Sequence, residues 1–462
     1  MSDPQRPNPD RLDPNRLVDS EAGVISREIF VNDDVFATEL EQIFARAWLF
    51  IGHESQIPEP GDFFNSRMGT ESVLLTRDSD GAIHVLLNSC RHRGMKVCRY
   101  DEGNSHTFTC PYHGWSYSTD GSLVSIAGEL HGVPHYRAGY GGQLDRSEWG
   151  LVPTAQTENY HGLIFATWDP EAPAFSDYIG GFKFWLDNLA ANTAGERGRI
   201  KVARGVQKWR IKSNWKFVSE NFLGDNYHGP PSHSSVDAVG IGPGGKVAPT
   251  RHGGTQKPRS VSSTSFFDLG HGGVSSAGHA PGYPAFEEPD ITDYFQRRWE
   301  ERLVRLEAED RPLGALGPST LFPSMSLHAG GFPRALIVAH PIGPTETEVW
   351  RWFLVDDDMP EHIESWMRHW YLRYSGPAGL VEQDDMENWD YATEASTGTI
   401  ARRYPYNYQL GLGMASPSEI LDDAVESSYF MTEENARNYY RRWSALMSGA
   451  SWADLEQAKG QR

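Results

Sequence analysis

Apolar residues recur at helical spacing through residues 27–50, where Phe36, Leu40, Ile43, Phe44 and Trp48 predict an amphipathic helix. From about residue 58 to 165 the period shortens. Alternating or β-branched runs (ESVLLTR, AIHVLLN, HTFTCPYHGWSYS, LIFATW) are punctuated by PGD, DSDG and STDG, the turn signals of a small antiparallel β domain. Beyond it, GGFKFWLDNL and the run at 213–227 predict helices, and residues 289–309 predict a charged amphipathic one. Residues 233–285 are rich in Gly, Ser and His, carry Pro243, Pro249, Pro258 and Pro281, and read as irregular. Strand-like segments at 336–342 and 348–355 then lead into one long helical stretch, about 360–397. No internal repeat is visible. The fold class this predicts is α+β: a small antiparallel β domain and a larger domain with an antiparallel sheet flanked by helices.

Length and composition narrow the class. A chain of 462 residues exceeds one ordinary domain. With 39% hydrophobic and 23% charged residues it has enough apolar material for a sizeable core. It lacks an apolar run of about eighteen residues, so no membrane span is expected. The opening MSDPQRPNPDRLDPNRLVDS lacks the apolar segment of a signal peptide and reads as a disordered polar lead-in, which points to the cytoplasm. The net charge of −20 would repel phosphate backbones and anionic lipid, which excludes nucleic acid and membranes as expected partners. A basic electron carrier could dock on such a surface, although carboxylates also simply promote solubility.

Three cysteines, Cys90, Cys98 and Cys110, are too few for a disulfide framework and turn attention to metal binding. Cys90-Arg-His92-Arg-Gly94 is followed by Cys110-Pro-Tyr-His113-Gly114-Trp115. Each motif falls between predicted strands, so two hairpin loops could close on one centre. Two thiolates with two imidazoles suit a [2Fe–2S] cluster in which His replaces Cys on one iron. The same four side chains also suit a structural zinc ion, and spacing alone does not separate the two. Cys98 lies outside the pattern and reads as a small buried hydrophobe; Trp115 reads as packing beside the centre.

A second constellation lies in Asn214-Trp-Lys-Phe-Val-Ser-Glu220-Asn221-Phe222-Leu-Gly-Asp225-Asn226-Tyr227-His228-Gly229-Pro-Pro-Ser-His233. Asp225 and His228, three apart, are expected on one helix face. His228 and His233, five apart, would diverge in an unbroken helix, but Pro230 and Pro231 break it and let His233 swing back. Two neutral imidazoles converging in this way suit Fe(II). A carboxylate must complete the site, and the helical stretch containing Glu382-Gln-Asp384-Asp385-Met-Glu387-Asn-Trp-Asp390 offers several. Adjacent residues point about 100° apart on a helix, so Asp384 and Asp385 cannot both face one ion. Most of these acids are expected in water.

The RHRG and PYHGW flanks are similar to those of Rieske domains, and with the second constellation the chain resembles Rieske non-heme iron aromatic-ring-hydroxylating dioxygenases over nearly its whole length. The resemblance is to their large (alpha) subunit, naphthalene-, biphenyl- or phthalate-dioxygenase-like. It implies a lead-in and helix at 1–46, a Rieske [2Fe–2S] domain at 47–165 and a catalytic domain of helix-grip type at 166–462. It further implies that Cys90, His92, Cys110 and His113 hold the cluster, and that His228, His233 and Asp385 hold a mononuclear Fe(II). Asp225 would orient His228 and bridge electrons from His113 of a neighbouring subunit. Asn221 would lie near the iron, and Phe222, Asn226, Gly229, Ser375 and Val381 would line the substrate pocket. The implied partners are a small beta subunit, an NAD(P)H reductase with or without a ferredoxin, an aromatic substrate and O2. The implied assembly is a trimer of alpha or alpha3beta3, and the implied product a cis-dihydrodiol.

Three other readings stand beside this one: a monooxygenase or demethylase with the same iron site, an electron carrier whose second site is degenerate, and a zinc scaffold. Gly240-Ile-Gly242-Pro-Gly-Gly245 matches G-x-G-x-x-G, but no strand precedes it and no helix can follow, so it is read as a loop. Arg251 and Arg259 are candidates for binding a substrate carboxylate.

Overall fold

The computed structural model describes residues 13–126, 129, 139–141, 144–234, 250–251, 263–267, 269–277, 283–284, 286, 288–309, 314–328, 334–418, 424–427 and 432–458. The G-x-G-x-x-G at 240–245, Arg259 and much of the 233–285 stretch lie outside them. Two compact units emerge: Ala45–Ala172, and the described residues on either side of it.

The smaller unit is built from three antiparallel sheets. Four strands pair in the order Ile83–Leu87, Glu71–Arg77, Asp62–Met68 and Glu102–Asn104. A three-stranded sheet of Leu123–Ser125, Ser116–Ser118 and Thr107–Thr109 carries the second cysteine loop. Leu49–His53, Leu163–Thr167 and Gln156–Tyr160 form the third. Phe63, Leu74, Leu86, Phe108, Trp115 and Tyr117 share one buried cluster with all three cysteines. Small apolar sulfur is accommodated there as readily as carbon.

The larger unit centres on ten antiparallel strands. Both Ile200–Val202 and Gln207–Ile211 pair with Glu346–Asp356. The sheet continues through Ala335–Gly343, Met325–His328, Gly314–Leu321, Gly272–Ala277, Ser263–Phe267, Ala424–Ser427 and Ser416–Pro417. Helices Pro289–Ala308, Glu361–Ser375, Leu380–Ser396 and Glu434–Met447 accompany it, which is the α+β class expected. Among the described residues no helix is long and apolar enough to cross a membrane.

Three local expectations are corrected. The helix drawn over 27–50 is a short 3-10 turn at Arg27–Phe30, an α-helix at Asp33–Glu39 capped by Asn32, a π turn at Leu40–Phe44, and then the strand Leu49–His53. The continuous apolar run WLFIG there satisfies a buried strand as well as a helix. The single helix at 360–397 is two, because Pro377 disfavours helical dihedrals at Gly376, which is extended (φ −72°, ψ 168°). The described part of the polar lead-in is ordered: Pro14–Leu17 is helical, and Val18–Asp19 pairs with Val24–Ile25.

The helix Trp215–Asn221, which leads into the histidine motif, is fixed by a buried charge. Asn214 caps it, accepting from the Lys216 N–H at 3.0 Å. Lys216 itself is fully buried and its ammonium donates to Glu39 Oε1 at 2.5 Å. The indole N–H groups of Trp215 and Trp443 donate to the same carboxylate at 2.8 and 2.7 Å. Burial pulls the Lys216 ammonium down from its ordinary range, and Glu39 opposes that shift. At the far end of the helix, burial pushes the Glu220 carboxyl up to about 8, against hydrogen bonds from Tyr440 and Tyr408.

Glu39→Ala would strand one ammonium and two indole donors in the core. It is expected to lower stability by about 3–5 kcal/mol, the usual cost of breaking a buried pair. Urea unfolding of the variant beside the parent chain measures this, and a loss under about 1 kcal/mol would count against Glu39 as the anchor.

Candidate metal centres

The first centre rests on two loops with one hydrogen-bonding frame. The Cys90 N–H donates to Met95 O at 2.8 Å, and the Gly94 N–H returns to Cys90 O at 2.8 Å. In the second loop the Cys110 N–H donates to Trp115 O at 2.7 Å, and the Gly114 N–H to Cys110 O at 2.9 Å. Gly94 and Gly114 sit at φ 73° and 74°, a left-handed turn that glycine adopts at little cost. Histidine occupies the third position of one loop and the fourth of the other, yet the rings meet. Their centroids lie 4.5 Å apart at 77°, and His92 stacks on Trp115 (5.2 Å, 6°).

Nδ1 of His92 and Nδ1 of His113 are buried with no hydrogen-bond partner, so the same atom of each ring is left for a ligand. The thiols of Cys90 and Cys110 are 3% and 2% exposed. Tyr117 OH accepts from the Arg91 N–H at 3.1 Å and also lies 3.3 Å from Cys90 Sγ. Burial raises the Cys110 thiol above its usual range. Around a single zinc ion the four ligand atoms would stand about 3.3–3.8 Å apart. Among the described residues the one group whose ligand atoms all lie within 4.8 Å of one another is elsewhere. Two thiolates and two imidazoles that do not close to single-ion spacing suit a two-iron cluster better than one ion. Cys98 is buried beside them, its Sγ 3.7 Å from Tyr100 O.

That other group is His228, His233 and Asp385. His233 Nε2 lies 3.3 Å from His228 Nε2, and Asp385 Oδ1 lies 3.4 and 3.3 Å from the two nitrogens. Three ligands about 2.1 Å from a common ion at right angles stand about 3.0 Å apart, so this triangle needs little closing to hold one. The second ring nitrogens are both engaged. His228 Nδ1 donates to the backbone carbonyl of Asp225, and His233 Nδ1 to Asp384 Oδ2 at 3.2 Å. Because those acceptors need a proton on Nδ1, the Nε2 lone pairs turn towards each other, an arrangement that calls for a cation between them.

Local structure explains the convergence and corrects the sequence reading. Helix Trp215–Asn221 ends before Asp225, and Gly224 turns the chain at φ 144°. Asp225 therefore precedes a 3-10 turn, Asn226–His228, rather than sharing an α-helix face with His228. Its carboxylate stands 3.6 Å from His228 Nδ1, farther than its own carbonyl, and Asp225 Oδ1 is buried without a hydrogen-bond partner. Pro230 and Pro231 sit in the first turn of the next helix, Gly229–Ser232, and His233 follows it, as the proline break predicted.

Of the acids expected in water, Glu387 is exposed. Glu382 instead is 2% exposed and paired with Arg351, Asp384 holds His233, and Asp390 is half-buried. Phe222 is buried with its ring edge-on to His328 at 5.3 Å, and a Cβ at Gly229 would meet nothing within 4 Å. Asn221, Ser375 and Val381 are half-buried, and the side chain of Asn226 lies outside the described structure. His328 went unremarked in the sequence. It is half-buried; desolvation, with the charge of Arg351, drives its imidazole down to about 4, and it therefore stays neutral near Asp385.

These features define an iron oxygenase subunit with two metal centres. The Rieske [2Fe–2S] domain family matches residues 47–137, and the ring-hydroxylating alpha subunit (catalytic domain) family matches 193–449. The chain belongs to the ring-hydroxylating oxygenase alpha subunits and is an aromatic-ring-hydroxylating dioxygenase alpha subunit. It is 37% identical over 447 residues to the biphenyl 2,3-dioxygenase subunit alpha of Rhodococcus jostii (strain RHA1), covering 95% of this chain and 92% of that one. It is 35% identical over 449 residues to a benzene 1,2-dioxygenase subunit alpha of Pseudomonas putida, covering 95% and 94%. A naphthalene 1,2-dioxygenase solved with indole in its active site superposes with a TM-score of 0.83 at 29% identity, covering 97% and 98%. The chain thus carries a Rieske [2Fe–2S] cluster and a mononuclear iron.

The electrostatics of the triangle carry a pH signature in the metal-free chain. Burial alone would lower the His228 imidazolium, but the carboxylates of Asp225 and Asp385, 3.6 and 3.4 Å away, outweigh it and raise the group to about 10; His233 is raised by Asp385 and Asp384 against the same burial. A folded value above the unfolded 6.5 means that the His228 contribution is fully present below pH 6.5 and lost as pH rises through 10. Thermal melts of metal-free protein are therefore expected to fall across that window, and His228→Asn to flatten the fall. A wild-type melting temperature that holds steady from pH 6.5 to 10 would contradict the geometry.

Proposed function

We propose that this subunit cis-dihydroxylates a neutral aromatic ring, with electrons from NAD(P)H arriving through a reductase and a ferredoxin. The observation that carries the reading is the triangle of His228, His233 and Asp385, which presents one face to an ion and leaves the opposite face for O2 and substrate. When bound, the mononuclear iron supplies O2 activation and the cluster supplies electrons singly.

In this reading His228, His233 and Asp385 are the iron ligands, and Cys90, Cys110, His92 and His113 are the cluster ligands. Asp384 holds the His233 ring by Nδ1, and the Asp225 carbonyl holds His228 in the same way. Tyr117 and Trp115 shield the cluster end. Phe222 and neutral His328 offer an apolar wall, and Gly229 leaves space beside the histidines. Arg351, whose charge is felt at His328, is committed to Glu382 and so is not available to a substrate carboxylate. That favours a biphenyl- or polycyclic-like hydrocarbon over a phthalate. The relatives named for biphenyl, benzene and naphthalene point the same way.

Asp225 is assigned to the electron path, accepting from the partner subunit's His113 and relaying to His228. Its buried Oδ1, without a hydrogen-bond partner among the described residues, supports that assignment, because the atom has hydrogen-bonding capacity to spare. On this reading the working enzyme is not a monomer, and we assign it as a trimer of alpha or alpha3beta3 with a small beta subunit.

Purified protein is expected to be brown with the rhombic electron paramagnetic resonance signal of a Rieske centre. Reconstituted with a reductase and ferredoxin and given biphenyl or naphthalene under labelled O2, it should place both oxygen atoms in one cis-diol. A single labelled oxygen would make it a monooxygenase or demethylase, and a colourless protein would sink the reading. Asp225→Asn is expected to keep both metals and lose at least about 10-fold in turnover, since such outer contacts are worth 10–100-fold. Undiminished turnover would remove Asp225 from the electron path.

A further inference from the structure

Asp384 and Asp385 sit in the second turn of the helix Leu380–Ser396, one turn along from the break at Gly376–Gly379 that separates it from Glu361–Ser375. Neither side of that corner carries a side-chain cap. Gly379 precedes the second helix without a capping hydrogen bond, and the first ends at Gly376. Pro377 makes the break and the Gly379 N–H closes it on Gly376 O at 2.6 Å, but these local contacts do not set where the second turn stands against the sheet. Something else must set the position of Asp385.

One guanidinium reaches both sides of the corner. Arg351 lies in the middle of the strand Glu346–Asp356, opposite Ile337 on one neighbour and Gln207 on the other, and is 2% exposed. Its Nη2 contacts Glu382 Oε2 at 2.6 Å, and its Nη1 donates to the carbonyl of Ser375, the last residue of the preceding helix. Glu382 is likewise 2% exposed and stands three residues before Asp385, on the same face one turn earlier.

The pair is a poor source of stability. Arg351 Nε and Glu382 Oε1 are both buried without a hydrogen-bond partner. A buried ion pair left partly unsatisfied is at best neutral against apolar side chains of the same volume. What it supplies is direction: a planar fork fixes distance and angle at two points at once, which an ammonium or an apolar contact does not.

We propose that Arg351 and Glu382 are positioning residues for the mononuclear iron. Arg351 clamps the carbonyl of Ser375 and the carboxylate of Glu382, sets the register of the second helix against the sheet, and so places Asp385 Oδ1 on the two imidazole nitrogens and Asp384 on His233. The proposal rests on Asp385 being an iron ligand.

The test uses the full chain with its cluster. Arg351→Lys keeps the charge and loses the fork. The double variant Arg351→Met with Glu382→Leu replaces the pair by apolar volume. Both are expected to retain one Rieske cluster per chain by visible spectrum and to melt within a few degrees of the parent. Both should bind Fe(II) about 10- to 100-fold more weakly in competition with a chelator, the range for contacts behind a metal ligand. The nitric oxide adduct of their ferrous site should give a broadened resonance signal. Parental Fe(II) affinity and an unchanged nitrosyl signal in either folded variant would overturn the proposal. So would loss of folding in both, since the pair would then hold the domain and not the ligand helix. Asp385→Asn run alongside separates the two claims: if it keeps the iron, the ligand assignment falls, whatever the Arg351 variants do.

Discussion

A carboxylate buried to 5% exposure, with one oxygen facing two imidazole nitrogens at 3.3–3.4 Å, is the constraint around which the larger unit is arranged. An unneutralised carboxylate in such a place costs several kcal/mol, so Asp385 is tenable only with positive charge beside it. Two histidines deliver that charge, as protons or by sharing an ion. Because Asp385 and the histidines lie some 150 residues apart in the chain, their meeting depends on anchors that themselves have nothing to do with iron. Glu39 anchors the helix before the histidines through Lys216, Trp215 and Trp443. Arg351 reaches the corner before Asp385. Both anchors are buried charges, and in both the fixed geometry of the pair matters more than its net energy.

The two centres differ in how locally they are determined. Each cysteine loop is a self-contained turn whose backbone bonds and glycine produce the same frame twice, so each loop brings its cysteine and histidine together as a pair, the pairs we propose as cluster ligands. The His228–His233–Asp385 site has one local half and one distant carboxylate. The local half is set by Gly224, which ends one helical run, and by Pro230 and Pro231, which open the next. The outer bonds on the two imidazoles also differ, a backbone carbonyl for His228 and a carboxylate for His233, so the two rings are not electronically equivalent.

Much was legible from residue order alone. The alternation between 58 and 165 marked a β unit, the paired Cys/His motifs marked one metal centre, and the proline break between His228 and His233 marked the other. These signals are local: a turn, a period or a spacing is encoded within a few residues of where it acts. Composition also carried weight, since three cysteines and a charge of −20 removed disulfide scaffolds and nucleic-acid binding from consideration. The failures were at boundaries and on helix faces. The helix at 360–397 split because Pro377 acts on the residue before it, and the run at 48–52 became a strand because an apolar stretch alone does not choose between the two.

What residue order alone determined, then, was the chemistry: which side chains could hold metal, and in what pairs. What only the tertiary structure decided was which acids serve the site. Glu382, Asp384, Asp385 and Glu387 lie on one acidic helix, and nothing in their spacing distinguishes them. The tertiary fold does, by placing Arg351 of the sheet opposite Glu382, His233 opposite Asp384 and both imidazoles opposite Asp385, while Glu387 faces solvent. A carboxylate's role is set by the charge that faces it, and that charge comes from residues far away in the chain.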